Sequence, residues 1–154
     1  MTICKPAEIK EKLPRGQAVL GLDLGTKTIG VAISDVSLMI ASPLATIARR
    51  KFAQDFAALE ALMAERGAGA LVIGLPLEMD GREGPRAQSA RSFAAEVLKR
   101  RDLPIAFWDE RLSTAAVQRM LTAEADLSRK RRGELVDKAA AAYILQGMLD
   151  SLGR

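Results

Sequence analysis

The stretch VLGLDLGTKTIGVAISD, residues 19 to 35, carries Asp23 among Val19, Leu20, Leu22 and Leu24. A carboxylate in such a run is costly to bury unless something pairs with it. Further acids stand where they could meet it. Asp109 and Glu110 end the run IAFWDER, and Asp137 lies in LVDKAAAAYILQGMLDSL. In an α/β sheet, function gathers beyond the carboxyl ends of parallel strands, so acids late in strands are the ones to follow. Strand alternation puts Trp108 with Glu110 on one face and Phe107 with Asp109 on the other, so only one of the pair can share the face of Asp23. Helical spacing places Asp137 on one stripe with Ala140, Ala141, Ile144 and Met148, and the alanine run 139 to 142 lets that helix lie close to a sheet. Taken singly, each acid has an ordinary explanation. Asp109 reads as a structural or surface residue, and Asp137 alone would simply complement the positive end of its helix. Together, in a chain with no histidine and a single cysteine, they form a hard, all-oxygen site suited to Mg²⁺ or Mn²⁺. Two such ions roughly 4 Å apart are suited to phosphodiester hydrolysis by water.

The elements that must position these acids follow from periodicity. AVLGLDLG and TIGVAISD read as strands joined through Gly25-Thr26-Lys27, and ASPLATIAR reads as a weaker third. FAQDFAALEALMAER has helical spacing and stops at Gly67. ALVIGLP is a doubly buried strand followed by the loop LEMDGREG, and a helix runs from Pro85, a favourable first position, to about Arg101. IAFWDER is the fifth strand, STAAVQRML a short helix, EADLSRKRRGE a polar loop, and the Asp137 segment the closing helix. The order βββαβαβα predicts an α/β fold, with a mixed sheet covered by helices on both faces. Residues 1 to 18 read as a polar N-terminal leader, and residues 19 to 154 as a single domain.

Composition narrows the classes. A chain of 154 residues with 49% apolar content fills one core. A formal charge of +4 and a pI near 9.5 lean toward a polyanionic partner. The lone Cys4 excludes an internal disulfide and agrees with the cytoplasm, and no run is long enough for a membrane span. The absence of histidine removes Ser-His-Asp and Cys-His catalysis. Aromatics are only 4% of residues, so recognition of backbone and shape is expected rather than base stacking.

Four blocks, GLDLGTKTIGVAISD, VIGLPLEMDGREGPRA, FWDERLSTAAV and VDKAAAAYILQGMLD, stand in the order and spacing of the YqgF (RuvX-like) family, which the chain resembles from Val19 to about Leu152. That family is described both as pre-16S ribosomal RNA nucleases and as Holliday junction resolvases with a ribonuclease H-like fold. The resemblance implies a five-stranded sheet of order 3-2-1-4-5. It also implies that Asp23, Glu110 and Asp137 are the metal-binding, catalytic acids, which selects Glu110 over Asp109. Ser113 stands where a threonine is commoner and keeps a hydroxyl for capping.

Basic residues near these acids are candidates for substrate contact. Lys27 and the amides of its turn could hold a phosphate. Arg82 and Arg86 flank a helix start, and Arg111 is placed to steer Glu110 or touch substrate. Lys130, Arg131 and Arg132 form a basic patch leading into the Asp137 helix. The expected function is a metal-dependent nuclease acting on nucleic acid, with precursor 16S rRNA favoured over branched DNA and the small-subunit precursor as a possible partner. The rivals are a junction resolvase, which needs two active sites paired by two-fold symmetry, and a non-catalytic RNA-binding assembly factor. DLGTK also looks like the phosphate loop of actin-type ATPases, but those need a second lobe for which 154 residues leave no room.

Overall fold

A computed structural model describes residues 3–112 and 129–152, with side chains from residue 138 onward in the second segment. Its strands are β1 (Ile3–Cys4), β2 (Ala18–Leu24), β3 (Thr28–Ser34), β4 (Ala41–Ala48), β5 (Ala68–Leu75) and β6 (Ile105–Asp109). Its helices are α1 (Ile9–Lys12), α2 (Phe52–Arg66), α3 (Pro85–Arg100) and α4 (Arg129–Asp150). Short 3₁₀ turns cover Pro6–Glu8 and Glu110–Leu112.

The strands form one sheet in the order β1-β6-β5-β2-β3-β4. The β2–β3 and β3–β4 pairs are antiparallel, and β2–β5, β5–β6 and β1–β6 are parallel. The last five members of this order reproduce the expected 3-2-1-4-5. The expected count of five is corrected to six, because Ile3 and Cys4 pair with Ile105 and Ala106. Two residues are too few to show alternation, so no local pattern announces that strand.

Alternate residues of the central strands feed two cores. Leu20, Leu22, Leu71, Ile73 and Ile105 pack with α2 and α3 on one face. Val19, Ala70, Val72 and Ala106 pack with Ala141, Ile144, Leu145 and Met148 of α4 on the other. Burial on both faces is why β5 is an unbroken apolar run. Phe56, Leu59 and Met63 anchor α2, each contributing about 1.5–3 kcal/mol through burial. A register shift at Ala18/Val19 interrupts the β2–β5 ladder, and the Val19 amide donates to the Ser34 hydroxyl at 2.9 Å.

Two local expectations change. β6 ends at Asp109, so Glu110 and Arg111 belong to the 3₁₀ turn rather than to the strand. The segment Arg129–Glu134, expected within a polar loop, is the start of α4. Lysine and arginine are good helix formers, and one glycine does not break a helix that its neighbours favour. The expected short helix STAAVQRML, with Ser113, lies outside the described residues. Among the described residues, no helix is long and apolar enough to cross a membrane.

Candidate active site

Asp23 is the penultimate residue of β2 and only 4% exposed. It shares a face with Gly21, two residues earlier. A Cβ on Gly21 would lie 2.7 Å from Leu145 Cβ and 3.1 Å from the Ala141 carbonyl, so this face looks at α4 at very close range. The β2–β5 register pairs Leu22 with Ile73, and its next step sets Asp23 beside Gly74.

Glu110 arrives at the same place from the other side. β6 pairs with β5 through Gly74 and Trp108, and the turn beginning at Glu110 folds its side chain back over β5. A Cβ on Gly74 would stand 3.1 Å from Glu110 Cγ and 3.2 Å from its Cδ, and 2.6 Å from Ile144 Cδ1. The Glu110 carboxyl therefore lies above β5, about one strand spacing of 4.8 Å from β2. Glycine at 74 opens the space that this carboxyl and Ile144 both use. The structure thus brings Asp23 and Glu110 to either side of one residue, on one face.

Asp137 lies in α4, four residues before Ala141 and seven before Ile144. Its side chain, with those of Lys130, Arg131 and Arg132, lies outside the described residues. Among the described residues no three acids form a metal-sized cluster.

Asp109 has a different task. Its carboxylate accepts the Arg111 backbone amide at 2.9 Å and the Arg111 guanidinium at 2.8 and 3.1 Å. Those hydrogen bonds hold its carboxyl below the ordinary range. Arg111 also donates to the Met79 carbonyl at 3.3 Å. The Asp109–Arg111 pair straddles Glu110 and ties its turn to the loop after β5, and the Arg111 guanidinium is largely committed to that work.

The loop from Pro76 to Gly84 encloses a groove of about 500 Å³ lined by Glu78, Met79, Asp80, Arg82, Glu83 and Gly84. Arg82 is paired with Asp80 at 2.6 Å, and Glu83 with Arg91 at 2.7 Å. The Glu78 carboxylate occupies the space that a side chain at Gly84 would take, at the start of α3. An anion approaching this helix start meets Glu78 first, and Arg86 on the first turn is exposed. The groove is richer in acid than its sequence position suggests.

Lys27 is exposed on the β2–β3 turn, which the Gly25 amide closes onto the Thr28 carbonyl at 2.9 Å. A residue that sequence reasoning passed over secures this turn. Arg49 donates its guanidinium to the Gly25 carbonyl at 2.7 Å and its backbone amide to the Lys27 carbonyl at 2.8 Å. The run Arg49-Arg50-Lys51 between β4 and α2 is the signal that could have found it.

The RuvX family, described as a Holliday junction resolvase, matches residues 17–151. A protein of Paramagnetospirillum magneticum named "Putative pre-16S rRNA nuclease" is 63% identical over 151 residues, covering 98% of this chain and 97% of its own. One of the same name from Rhodospirillum rubrum is 60% identical over 154 residues, covering 100% and 96%. Among solved structures, T. thermophilus RuvC in complex with a Holliday junction substrate matches with a TM-score of 0.55 at 14% identity, over 89% of this chain and 96% of that one. A second Thermus thermophilus RuvC structure matches with a TM-score of 0.52 at 12% identity, over 89% and 97%. At such identity the likeness to RuvC speaks for the ribonuclease H-like fold alone. With a matched region running from the start of β2 to the end of α4 and relatives this similar along their whole length, the chain belongs to the RuvX family of nucleases.

Proposed function

We propose that the chain is a divalent-metal-dependent nuclease that hydrolyses phosphodiester bonds in precursor 16S rRNA, with Asp23, Glu110 and Asp137 as its catalytic acids. The observation that carries this reading is the convergence of Asp23 and Glu110 over Gly74, where a buried carboxylate and a second one folded over bare backbone face the same helix. Two acids brought together in this way repel each other unless a cation lies between them. The donor set fits Mg²⁺ or Mn²⁺, because the chain has no histidine and its one cysteine is buried elsewhere, beside β6. When bound, such an ion lowers the pKa of water and stabilises charge on the scissile phosphate. The acids hold it, and Gly74 keeps the approach open.

Substrate contact is assigned to Lys27, Arg82, Arg86, Arg111, Lys130, Arg131 and Arg132. Lys27 and Arg86 are the exposed members without an ion pair among the described side chains, whereas Arg82 must first leave Asp80. The precursor of the small ribosomal subunit is the partner this reading implies, and the lone cysteine agrees with the cytoplasm. A second reading, cleavage of four-way DNA junctions, is favoured by the family's description.

The test sets purified protein against a precursor 16S RNA fragment and a four-way DNA junction, in Mg²⁺, in Mn²⁺ and in chelator. Metal-dependent cleavage of the RNA alone supports the proposal. Symmetric cleavage of the junction alone replaces it with the resolvase, and binding without cleavage in either metal leaves an assembly factor.

A further inference from the structure

The end of the sheet that carries Asp23 and Glu110 also carries a basic shelf. β3 starts where β2 ends, and β4 returns antiparallel to β3 so that Ala48 pairs with Thr28. Arg49, Arg50 and Lys51 follow at once, at the same end as Lys27 and two strand spacings, about 10 Å, from the strand that bears Asp23. Arg49 joins the two segments through its bonds to Gly25 and Lys27. Lys27, Arg50 and Lys51 are exposed.

Several other surface arginines and lysines are tied up with acids, whereas Lys27, Arg50 and Lys51 are in no ion pair among the described residues. Arg91 pairs with Glu83, Lys99 and Arg100 with Glu96, and Arg101 with Glu60. Between Asp23 and Asp55 the chain has one acid, Asp35, and it lies past the far end of β3. Asp55 itself is buried and accepts the Arg50 backbone amide at 2.8 Å. Uncompensated positive charge beside a proposed phosphodiester-cleaving site fits a polyanion that runs on past the site.

We propose that Lys27, Arg50 and Lys51, gathered by Arg49, bind the phosphodiester backbone of the nucleic-acid strand on the β4 side of the catalytic acids. This rests on the nuclease reading above and adds where the strand leaves the site. The contacts are to phosphates, so they hold the strand in place without reading its sequence. Chemistry stays with the acids.

The experiment measures the affinity of the full chain for a labelled single-stranded RNA and for DNA of the same sequence, across a salt series, with Ca²⁺ in place of Mg²⁺ to keep the strand whole. Each phosphate contact removed lowers the slope of log affinity against log salt by about 0.7 for a single strand, so Arg50→Ala/Lys51→Ala should lower it by about 1.4. Lys10→Ala/Lys12→Ala on α1 removes the same net charge elsewhere and should leave the slope alone. Loss of slope in both double variants, or in neither while the wild type binds, overturns the shelf. A wild type that neither binds nor cleaves either strand sinks the nuclease reading and the shelf with it. A slope change with every strand that the wild type binds, RNA or DNA, supports the shelf, because the two share the phosphate that it holds.

Discussion

A methyl group added at Gly74 meets Ile144 Cδ1 at 2.6 Å and Glu110 Cγ at 3.1 Å. Ile144 can shift its end carbon, but Glu110 has to move from its place over β5. Gly74→Ala is therefore expected to lower stability by about 1–3 kcal/mol, as overpacking does, and to cut turnover more than tenfold. Adding Ile144→Val should recover part of the stability and none of the turnover. Denaturant melts and cleavage assays on the two variants separate these effects, and recovery of both together would remove Glu110 from the chemistry. The acids themselves are expected to act as one unit. Asp23→Asn, Glu110→Gln and Asp137→Asn should each abolish most metal-dependent cleavage, and doubles should lose little more. Asp109 is bonded to the Arg111 amide and guanidinium, so its role is expected to be structural. Asp109→Asn keeps an acceptor for the Arg111 amide and should stay within a few-fold of wild type, whereas Asp109→Ala frees the turn and should lose about tenfold or more in turnover. Equal loss in the Asn and Ala variants would make Asp109 a chemical participant.

Among the elements, the β3–β4 connection shows most plainly how a carboxylate acts on stability. The Asp35 carboxylate accepts hydrogen bonds from the Ser37 hydroxyl and from the Met39 and Ile40 amides, and these hold its pKa down at about 2. A pKa lowered on folding adds stability that is complete above the ordinary carboxylate value of about 3.9 and is lost as the pH falls toward 2. Asp35→Ala should therefore melt below wild type at pH 6, with the gap closing between about pH 4 and pH 2. A gap independent of pH would mean that the side chain works by shape rather than by charge. The turn is at the opposite end of β3 from Lys27, so cleavage should be untouched. α4 shows the reverse coupling of element to site. It packs so tightly on Gly21 and Gly74 that the stripe containing Ala141, Ile144 and Leu145 fixes its height above the sheet.

For the whole molecule, the proposed metal site makes folding and ion binding one equilibrium. Carboxylates close to one another repel, and a cation between them relieves that repulsion. Mg²⁺ is expected to raise the melting temperature, because a ligand that binds only the native state stabilises it. In chelator, Asp23→Asn should melt above wild type, and its response to Mg²⁺ should be largely gone. Differential scanning calorimetry with and without the ion measures both quantities, and an equal metal shift in the two proteins would show that the ion binds elsewhere. The distribution of charge carries a second consequence. Lys27, Arg50, Lys51 and Arg86 all lie exposed at the end of the sheet where the parallel strands finish, the end at which the proposed cleavage takes place.

Local periodicity alone settled a good deal. Continuous apolar runs announced β2 and β5 as strands covered on both faces, and the two-residue period separated Trp108 from Phe107. Both depend only on neighbours along the chain, because the direction of a side chain is fixed by its own backbone. The family's block order carried the sheet order, which no spacing within a strand encodes. Tertiary structure decided what depends on distant segments meeting. Ile3–Cys4 became a strand only because β6 offered an open edge. Arg49 became the clasp of a turn 24 residues earlier only because β4 returns beside β3. Glu110 reached the face of Asp23 by leaving its strand and folding over Gly74, a closeness set by the height of α4 above the sheet. A sequence window holds the faces of an element, but the gap between two elements is set by the volumes of residues from both, and only the folded chain brings those together.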